Sequence, residues 1–312
     1  MNPDVVLGLM HSYRRHFQPQ LNTAGDFFCN PDILRNMNTQ DFTSRREAFR
    51  KLHAGGCFVM PNPWDAGSAR YLQHLGFQAV ATTSAGYAFS QALPDGAWAV
   101  SCESMLRNIA EIVAAVELPV NADFESGYAH NPEGLGANVR LCIETGVAGL
   151  SIEDNTGNAA KPLYDLPLAV ERIQAARKAI DQSGAGVLLT ARAECYLVGH
   201  PDPFKESLRR LQAYSEAGAD VLYAPGVTER EEIKAFVKEL EPAPVNILVS
   251  RNTGLAVADL AEIGVRRISV GSSLARAAWN GFMRAAGIIA KEGSFAGFDG
   301  LVPFAEINDL FR

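Results

Sequence analysis

The 312-residue sequence is short of several features that would place it at once. It has no C-x-x-C pair, and its five cysteines (Cys29, Cys57, Cys102, Cys142, Cys195) are dispersed and odd in number. This excludes a disulfide-stapled secreted scaffold and predicts reduced thiols in a soluble, cytoplasmic protein. Cysteine-rich or histidine-rich metal spacing is absent, so no zinc site is expected. There is no basic surplus: 28 Lys and Arg face 35 Asp and Glu, for a formal charge of −7, which argues against nucleic acid as a partner. No apolar run reaches the roughly 18 residues of a membrane span. The stretch from Val5 to Met10, preceded by Asp4, is neither a span nor a signal peptide. G-x-G-x-x-G and Walker sequences are missing too, which counts against a doubly wound nucleotide-binding sheet.

What is present is a recurring unit: a helical stretch, a glycine, two or three residues, then a short β-branched apolar run. It occurs at Gly76, Gly146, Gly218 and Gly264. Each glycine is placed just past a helix end, where a left-handed backbone penalises a Cβ. Eight such runs read as buried parallel strands: 57–60, 78–82, 120–123, 149–153, 187–192, 220–224, 245–249 and 267–271. Between them lie helical stripes such as Met105, Ile109, Ile112 and Val116; Leu135, Val139 and Cys142; and Ile233, Phe236, Val237 and Leu240. The alternation predicts an α/β protein, a (β/α)8 TIM barrel over residues 45–312. Residues 1–44 form an N-terminal extension with an amphipathic fragment (Val5, Leu9, Tyr13, Phe17). Ser44 and Glu47 have the spacing of a capping box opening the first barrel-side helix.

Barrel enzymes carry their reacting groups at the C-terminal ends of strands. Strand two ends in Thr82-Thr83-Ser84-Ala85-Gly86, with Asp95 in its loop. Strand three ends in Asn121-Ala122-Asp123-Phe124-Glu125, strand four in Glu153-Asp154 and strand five in Arg192-Ala193-Glu194. Acids on successive strand ends beside an arginine fit a hard divalent cation. Asp95, Asp123 and Glu153 are expected to hold Mg²⁺ (with Mn²⁺ as a substitute), partly through water. Such an ion and Arg192 would together bind a 2-oxo or 2-hydroxy carboxylate and stabilise an enolate. Asp154 and Glu125 read equally well as acids of this site and as helix caps or partners of a nearby Arg. Trp64 is expected to wall the substrate pocket. Asn246 either reaches the barrel mouth as a substrate ligand or satisfies a backbone group. Cys195 reads as a buried small hydrophobe, and His200 with Asp202 as a surface turn.

Seven stretches in order, PNPWDAGSA (61–69), TTSAG (82–86), LPDG (93–96), VNADFESGY (120–128), SIED (151–154), TARAE (190–194) and AGADVLYAPG (217–226), carry a resemblance. They resemble the isocitrate lyase / phosphoenolpyruvate mutase superfamily, and within it the bacterial 2-methylisocitrate lyase-like, or phosphoenolpyruvate mutase-like, group. The resemblance implies a Mg²⁺-dependent barrel acting on 2-oxo acids or their hydroxy-acid adducts. It matches Asp123 and Glu153 to metal-sphere carboxylates, Asp95 to a loop acid near the metal and Arg192 to a substrate-binding arginine. Ser84, Ala85 and Gly86 match the turn that receives the substrate carboxylate. It further implies a C-terminal helix, here 272–293 with Leu274, Ala278, Phe282 and Ala285, swapped between subunits of a homodimer or homotetramer.

Three departures are visible. The lyases of the superfamily carry Lys-Cys-Gly-His on the loop after strand four, whereas residues 155–167 here read NTGNAAKPLYDLP. An acid of the metal motif is replaced by Asn121, and the lyases' glutamate after strand six falls at Pro225. Mutases and hydrolases of the superfamily use Lys, Asn or Thr on that loop, which makes Asn158 and Lys161 the candidate lid residues. The expectation is a Mg²⁺-dependent lyase or decarboxylase of a small 2-oxo or 2-hydroxy (di)carboxylic acid. The alternatives are a C–P hydrolase or mutase of the phosphonopyruvate type, or a 2-oxo acid binding protein without turnover.

Overall fold

The computed structural model describes residues 41–312. The extension fragment Val5, Leu9, Tyr13 and Phe17, together with Cys29, lies outside the described residues. Helix and strand alternate from the start: α1 (Thr43–Ala54), β1 (Phe58–Met60), α2 (Ala66–His74), β2 (Val80–Ala81), α3 (Ser84–Ser90), α4 (Cys102–Ala115), β3 (Val120–Asp123) and α5 (Pro132–Glu144). The chain continues through β4 (Gly149–Glu153), α6 (Leu166–Ser183), β5 (Leu188–Arg192), α7 (Pro203–Glu216), β6 (Val221–Tyr223), α8 (Arg230–Glu239) and β7 (Val245–Leu248). α9 (Val257–Glu262), β8 (Arg267–Ser269), the long α10 (Ser273–Glu292) and a short α11 (Phe304–Asp309) complete it.

All eight strands are parallel and follow one another around the sheet, with β1 returning to pair with β8. Between β1 and β2 the ring is drawn shut by the Ala81 N–H, which donates to the Pro61 carbonyl at 3.0 Å. The fold is a (β/α)8 TIM barrel. Several strands are shorter than their apolar runs. The run 78–82 keeps only Val80–Ala81 because Thr83 already caps α3, its hydroxyl accepting the Gly86 N–H.

The stripes read from the sequence face inward: Met105, Ile109, Ile112, Leu135, Val139 and Cys142 have no exposed surface. Gly76, Gly146, Gly218 and Gly264 have φ between 82° and 100°, the left-handed turn expected after a helix. The start of α1 differs from expectation. No capping box forms at Ser44 and Glu47; the helix begins two residues earlier than that box would set, and Asp41 accepts the Thr43 N–H at 2.9 Å. The entry is set by Phe42, whose ring covers Gly146 so closely that a Cβ there would lie 2.4 Å from it. α1 then closes the N-terminal end of the barrel, where Phe49 packs with Phe58, Met60, Ala79, Ala81, Ala148 and Leu188. Plugging that end leaves the opposite rim as the open one.

α10 runs over the expected span, with Ser272 and Gly293 flanking it. Ala275 is its one buried residue, while Phe282 and Met283 are 62% and 65% exposed. Among the described residues, no helix is long and apolar enough to cross a membrane.

Candidate active site

β3, β4 and β5 end together at the open rim. Register pairs Glu153 with Arg192 directly, and the Arg192 side chain becomes the hub. Its Nη1 lies 3.3 Å from Glu153 Oε2 and 3.5 Å from Asp123 Oδ1, and its Nε donates to Glu194 Oε1. Burial opposes the charge on Arg192, but Glu194, Glu153 and Asp123 outweigh it and hold the guanidinium protonated. Burial likewise pushes the Glu153 and Glu194 carboxyls up, with Arg192 pulling them back.

Two further acids feel this cluster. Asp95 stands on the exposed loop after α3, yet partial desolvation and the Asp123 charge push its carboxyl up. Glu125 is 7% exposed and accepts the Tyr128 hydroxyl at 2.7 Å. Its carboxyl is pushed up to about 7 by burial, against the Tyr128 hydrogen bond and with help from the Asp123 and Asp95 charges. Its backbone has φ 44°, a left-handed conformation rare outside glycine, which turns the chain sharply just past β3. Asp154, by contrast, is structural. It accepts the Glu194 N–H at 2.9 Å, Arg210 Nη1 at 3.0 Å and the Tyr214 hydroxyl at 2.6 Å, tying β4 to β5 and α7.

The structure brings Asp95, Asp123, Glu153 and Arg192 to one rim and places the other expected residues differently. Ser84 donates both its N–H (3.0 Å) and its hydroxyl (2.9 Å) to Asp123 Oδ2. Gly86 donates its N–H to Thr83 at 3.2 Å. The turn 84–86 therefore directs these donors at protein acceptors, because α3 starts here and its first N–H groups need partners. Ala85 is the second residue of the same turn. Gly86 itself is required: a Cβ would fall 2.6 Å from Thr83 and 3.1 Å from Trp64, which stands half-buried beside it.

Asn246 does not reach the mouth. It is 1% exposed inside the barrel, accepting Arg267 Nε at 2.8 Å and donating to Ser269 at 3.0 Å. Neither of its expected roles holds, because the strand tilt puts the second residue of β7 below the rim. Asn158 and Lys161 are also apart from the Arg192 cluster. Asn158 Oδ1 accepts the Ala160 N–H at 2.9 Å, and Lys161 pairs with Asp165 at 2.6 Å on the surface. They line a cavity of about 460 Å³ under the 155–165 loop, together with Trp98, His130 and Tyr164. Cys195 is fully buried and its thiol is pushed up to about 11 by burial, so it is no nucleophile. His200 and Asp202 form the surface turn that starts α7. Tyr223 and Arg267, both inward-facing, were not singled out from sequence. Their positions within runs six and eight were the only available signal.

Five carboxyl groups, Asp95, Asp123, Glu125, Glu153 and Glu194, thus act on a single guanidinium, Arg192. This surplus of hard oxygen donors fits a divalent cation. Among the described residues no three His, Cys, Asp or Glu side chains converge as direct ligands.

An acid-rich rim at the C-terminal ends of barrel strands, gathered on one arginine, stands where TIM-barrel enzymes carry their reacting groups. The chain belongs to the phosphoenolpyruvate phosphomutase family, whose model matches residues 49–290, within the isocitrate lyase / phosphoenolpyruvate mutase superfamily. A provisionally assigned lyase/mutase from Burkholderia cenocepacia J2315 superposes with a TM-score of 0.83 at 46% identity, over 88% of this chain and 98% of that one. An oxaloacetate decarboxylase from Pseudomonas entomophila (strain L48) is 31% identical over 71% of this chain and 76% of its own. A phosphonopyruvate hydrolase in complex with oxalate and Mg²⁺ superposes with a TM-score of 0.76 at 25% identity, over 85% of this chain and 94% of that one.

Proposed function

We propose that this enzyme is a Mg²⁺-dependent lyase or decarboxylase of a small 2-oxo or 2-hydroxy (di)carboxylic acid that proceeds through an enolate. The observation that carries the reading is the Arg192 guanidinium shared by Asp123, Glu153 and Glu194 at adjoining strand ends. Asp123 would hold the cation, with Asp95 and Glu153 bonding to its water. When bound, the ion supplies positive charge that polarises the 2-oxygen of the substrate. The chain's own residues do the rest. Arg192, relieved of part of its carboxylate load, meets the substrate carboxylate and balances charge as it develops. Ser84 holds Asp123 in place through its two hydrogen bonds. The 155–165 loop would have to move over the rim to keep water from the enolate.

The names and ligands of the relatives support this chemistry: one is an oxaloacetate decarboxylase, and another binds oxalate, an enolate-like dianion, with Mg²⁺. A phosphonopyruvate hydrolase or mutase is the second reading. It is favoured by a lid that offers Thr156, Asn158 and Lys161 where lyases carry Cys and His. The bare apolar face of α10 supports a homodimer or homotetramer in which this helix packs on a neighbouring copy.

The test combines calorimetric titration of oxalate, with and without Mg²⁺, with pyruvate release from oxaloacetate, 2-methylisocitrate, 2,3-dimethylmalate and phosphonopyruvate, and with phosphoenolpyruvate formation from phosphonopyruvate. Mg²⁺-dependent oxalate binding and turnover of a C–C substrate are expected. Turnover of phosphonopyruvate alone selects the second reading, and binding with no turnover on the panel selects a 2-oxo acid binding protein. Asp123→Ala should weaken Mg²⁺-dependent oxalate binding by at least about tenfold; unchanged affinity would remove the metal assignment.

A further inference from the structure

A row of inward-facing side chains runs from the rim into the barrel. Glu153 on β4, Arg192 on β5, Tyr223 on β6, Asn246 on β7 and Arg267 on β8 are successive register partners. Strand tilt makes the row descend: Glu153, Arg192 and Tyr223 end their strands, whereas Arg267 begins its own. Arg267 is 2% exposed and has no carboxylate partner among the described residues. It touches Asn246 Oδ1 at 2.8 Å, Thr190 Oγ1 at 2.9 Å and His53 Nε2 at 3.4 Å. Burial lowers its pKa to about 9, and Tyr223 is the charge partner that opposes this. A cation kept so deep without a counter-ion is costly, unless an anion forms nearby at some stage of the enzyme's cycle.

The hydrogen bonds from Arg267 run in one direction. Its Nε donates to Asn246 Oδ1, and Asn246 Nδ2 donates to Ser269 Oγ. The Ser269 hydroxyl at the end of this chain of bonds is also one of the groups that favour the Tyr223 phenolate. From the other side, the Arg192 guanidinium lies 5.4 Å from the centroid of the Tyr223 ring and also favours the phenolate. Burial outweighs both and pushes the phenol up to about 12, so it carries its proton in the resting enzyme. Tyr223 is thus a proton-bearing group next to the substrate arginine, with a cationic relay behind it.

We propose that Tyr223 is the proton donor of this site. Its O–H bond breaks as the electron pair of the enolate takes the proton to form a C–H bond. The phenolate left behind is held by Arg192 and by the Ser269–Asn246–Arg267 relay until water returns a proton on product release. Ser269, Asn246 and Arg267 are positioning residues. The inference rests on the 2-oxo acid reading, and it accounts for a lid with neither Cys nor His: the proton comes from β6.

The experiment follows loss of the pyruvate methyl signal by NMR in D₂O with Mg²⁺, alongside oxalate affinity by calorimetry. The wild-type enzyme should exchange the methyl protons. Tyr223→Phe should bind oxalate within about threefold of wild type and exchange at least about 100-fold more slowly. Ser269→Ala keeps the phenol but removes the hydroxyl that favours its phenolate, and should slow exchange about tenfold with oxalate affinity unchanged. Wild-type exchange in Tyr223→Phe overturns the proposal, as does a wild-type enzyme that binds oxalate without exchanging pyruvate. A wild-type enzyme that binds no oxalate overturns the 2-oxo acid reading, and the proton donor with it.

Discussion

At the residue scale, the candidate site is a problem of buried charge. Arg192 neutralises only part of what surrounds it, and Glu125 shows the consequence most directly, with its carboxyl pushed up to about 7. A carboxyl raised above its ordinary value of 4.5 binds more protons in the folded than in the unfolded state, so its contribution to stability falls as pH rises through this window. Glu125→Gln, which retains an acceptor for Tyr128, should stabilise the metal-free protein by about 1–3 kcal/mol at pH 8 and by little at pH 4.5. Urea denaturation in EDTA at the two pH values checks this; an equal gain at both would show that ionisation is not the cause. Asp123, Glu153 and Arg192 could be picked out in the sequence because the end of a short apolar run marks a barrel rim, whereas Asp95 stood out only as an acid in the loop beyond strand two. Asn246 could not be placed correctly. Whether the second residue of a strand reaches the mouth or sits below it depends on tilt and stagger between strands, which no local pattern encodes.

At the element scale, α1 is more than a lead-in to β1. It carries Phe49 into the barrel's N-terminal end and sets His53 edge-on to Phe49 and Phe58, with ring centroids 4.6 and 5.1 Å away. His53 accepts from the buried Arg267, while its other ring nitrogen bonds the Phe49 carbonyl at 2.8 Å. Burial first, and Arg267 second, lower its pKa from 6.5 to about 3. A histidine held neutral in the fold binds protons only after unfolding, so its contribution is complete above pH 6.5 and is lost as pH falls toward 3. His53→Gln should therefore destabilise at pH 8, and the difference from wild type should shrink by about 2 kcal/mol at pH 5. A difference that does not vary with pH, measured by urea denaturation, would show that His53 is not held neutral. That a helix precedes β1 was readable, but its first residue was not. A tertiary contact, Phe42 on Gly146, decided where the helix begins.

At the scale of the whole molecule, the barrel leaves most of the apolar surface of α10 uncovered. Along α10, Leu274, Trp279, Phe282, Met283 and Ile289 are all at least 36% exposed, although the helix is long and regular. Phe282→Glu places a charge in that face. It should bring the sedimentation mass down to that of a monomer while the circular dichroism of the barrel is unchanged; a wild-type chain that already sediments as a monomer would refute the swapped-helix assembly.

The alternation of strands and helices, the glycines that end the helices and the acids and arginine at the strand ends can be read from the chain alone. These follow from local rules, namely burial periodicity, backbone sterics at positive φ and the position of polar residues at the close of an apolar run. Only the tertiary structure decided what those residues face. Strand tilt lowered Asn246 into the core and aligned Tyr223 between Arg192 and Arg267. The start of α3 turned the Ser84 and Gly86 donors onto protein acceptors. The lid loop closed on itself around Thr156, Asn158 and Lys161. Each outcome depends on contacts between segments far apart in the chain, where three-dimensional closure of the barrel sets distance and local sequence does not.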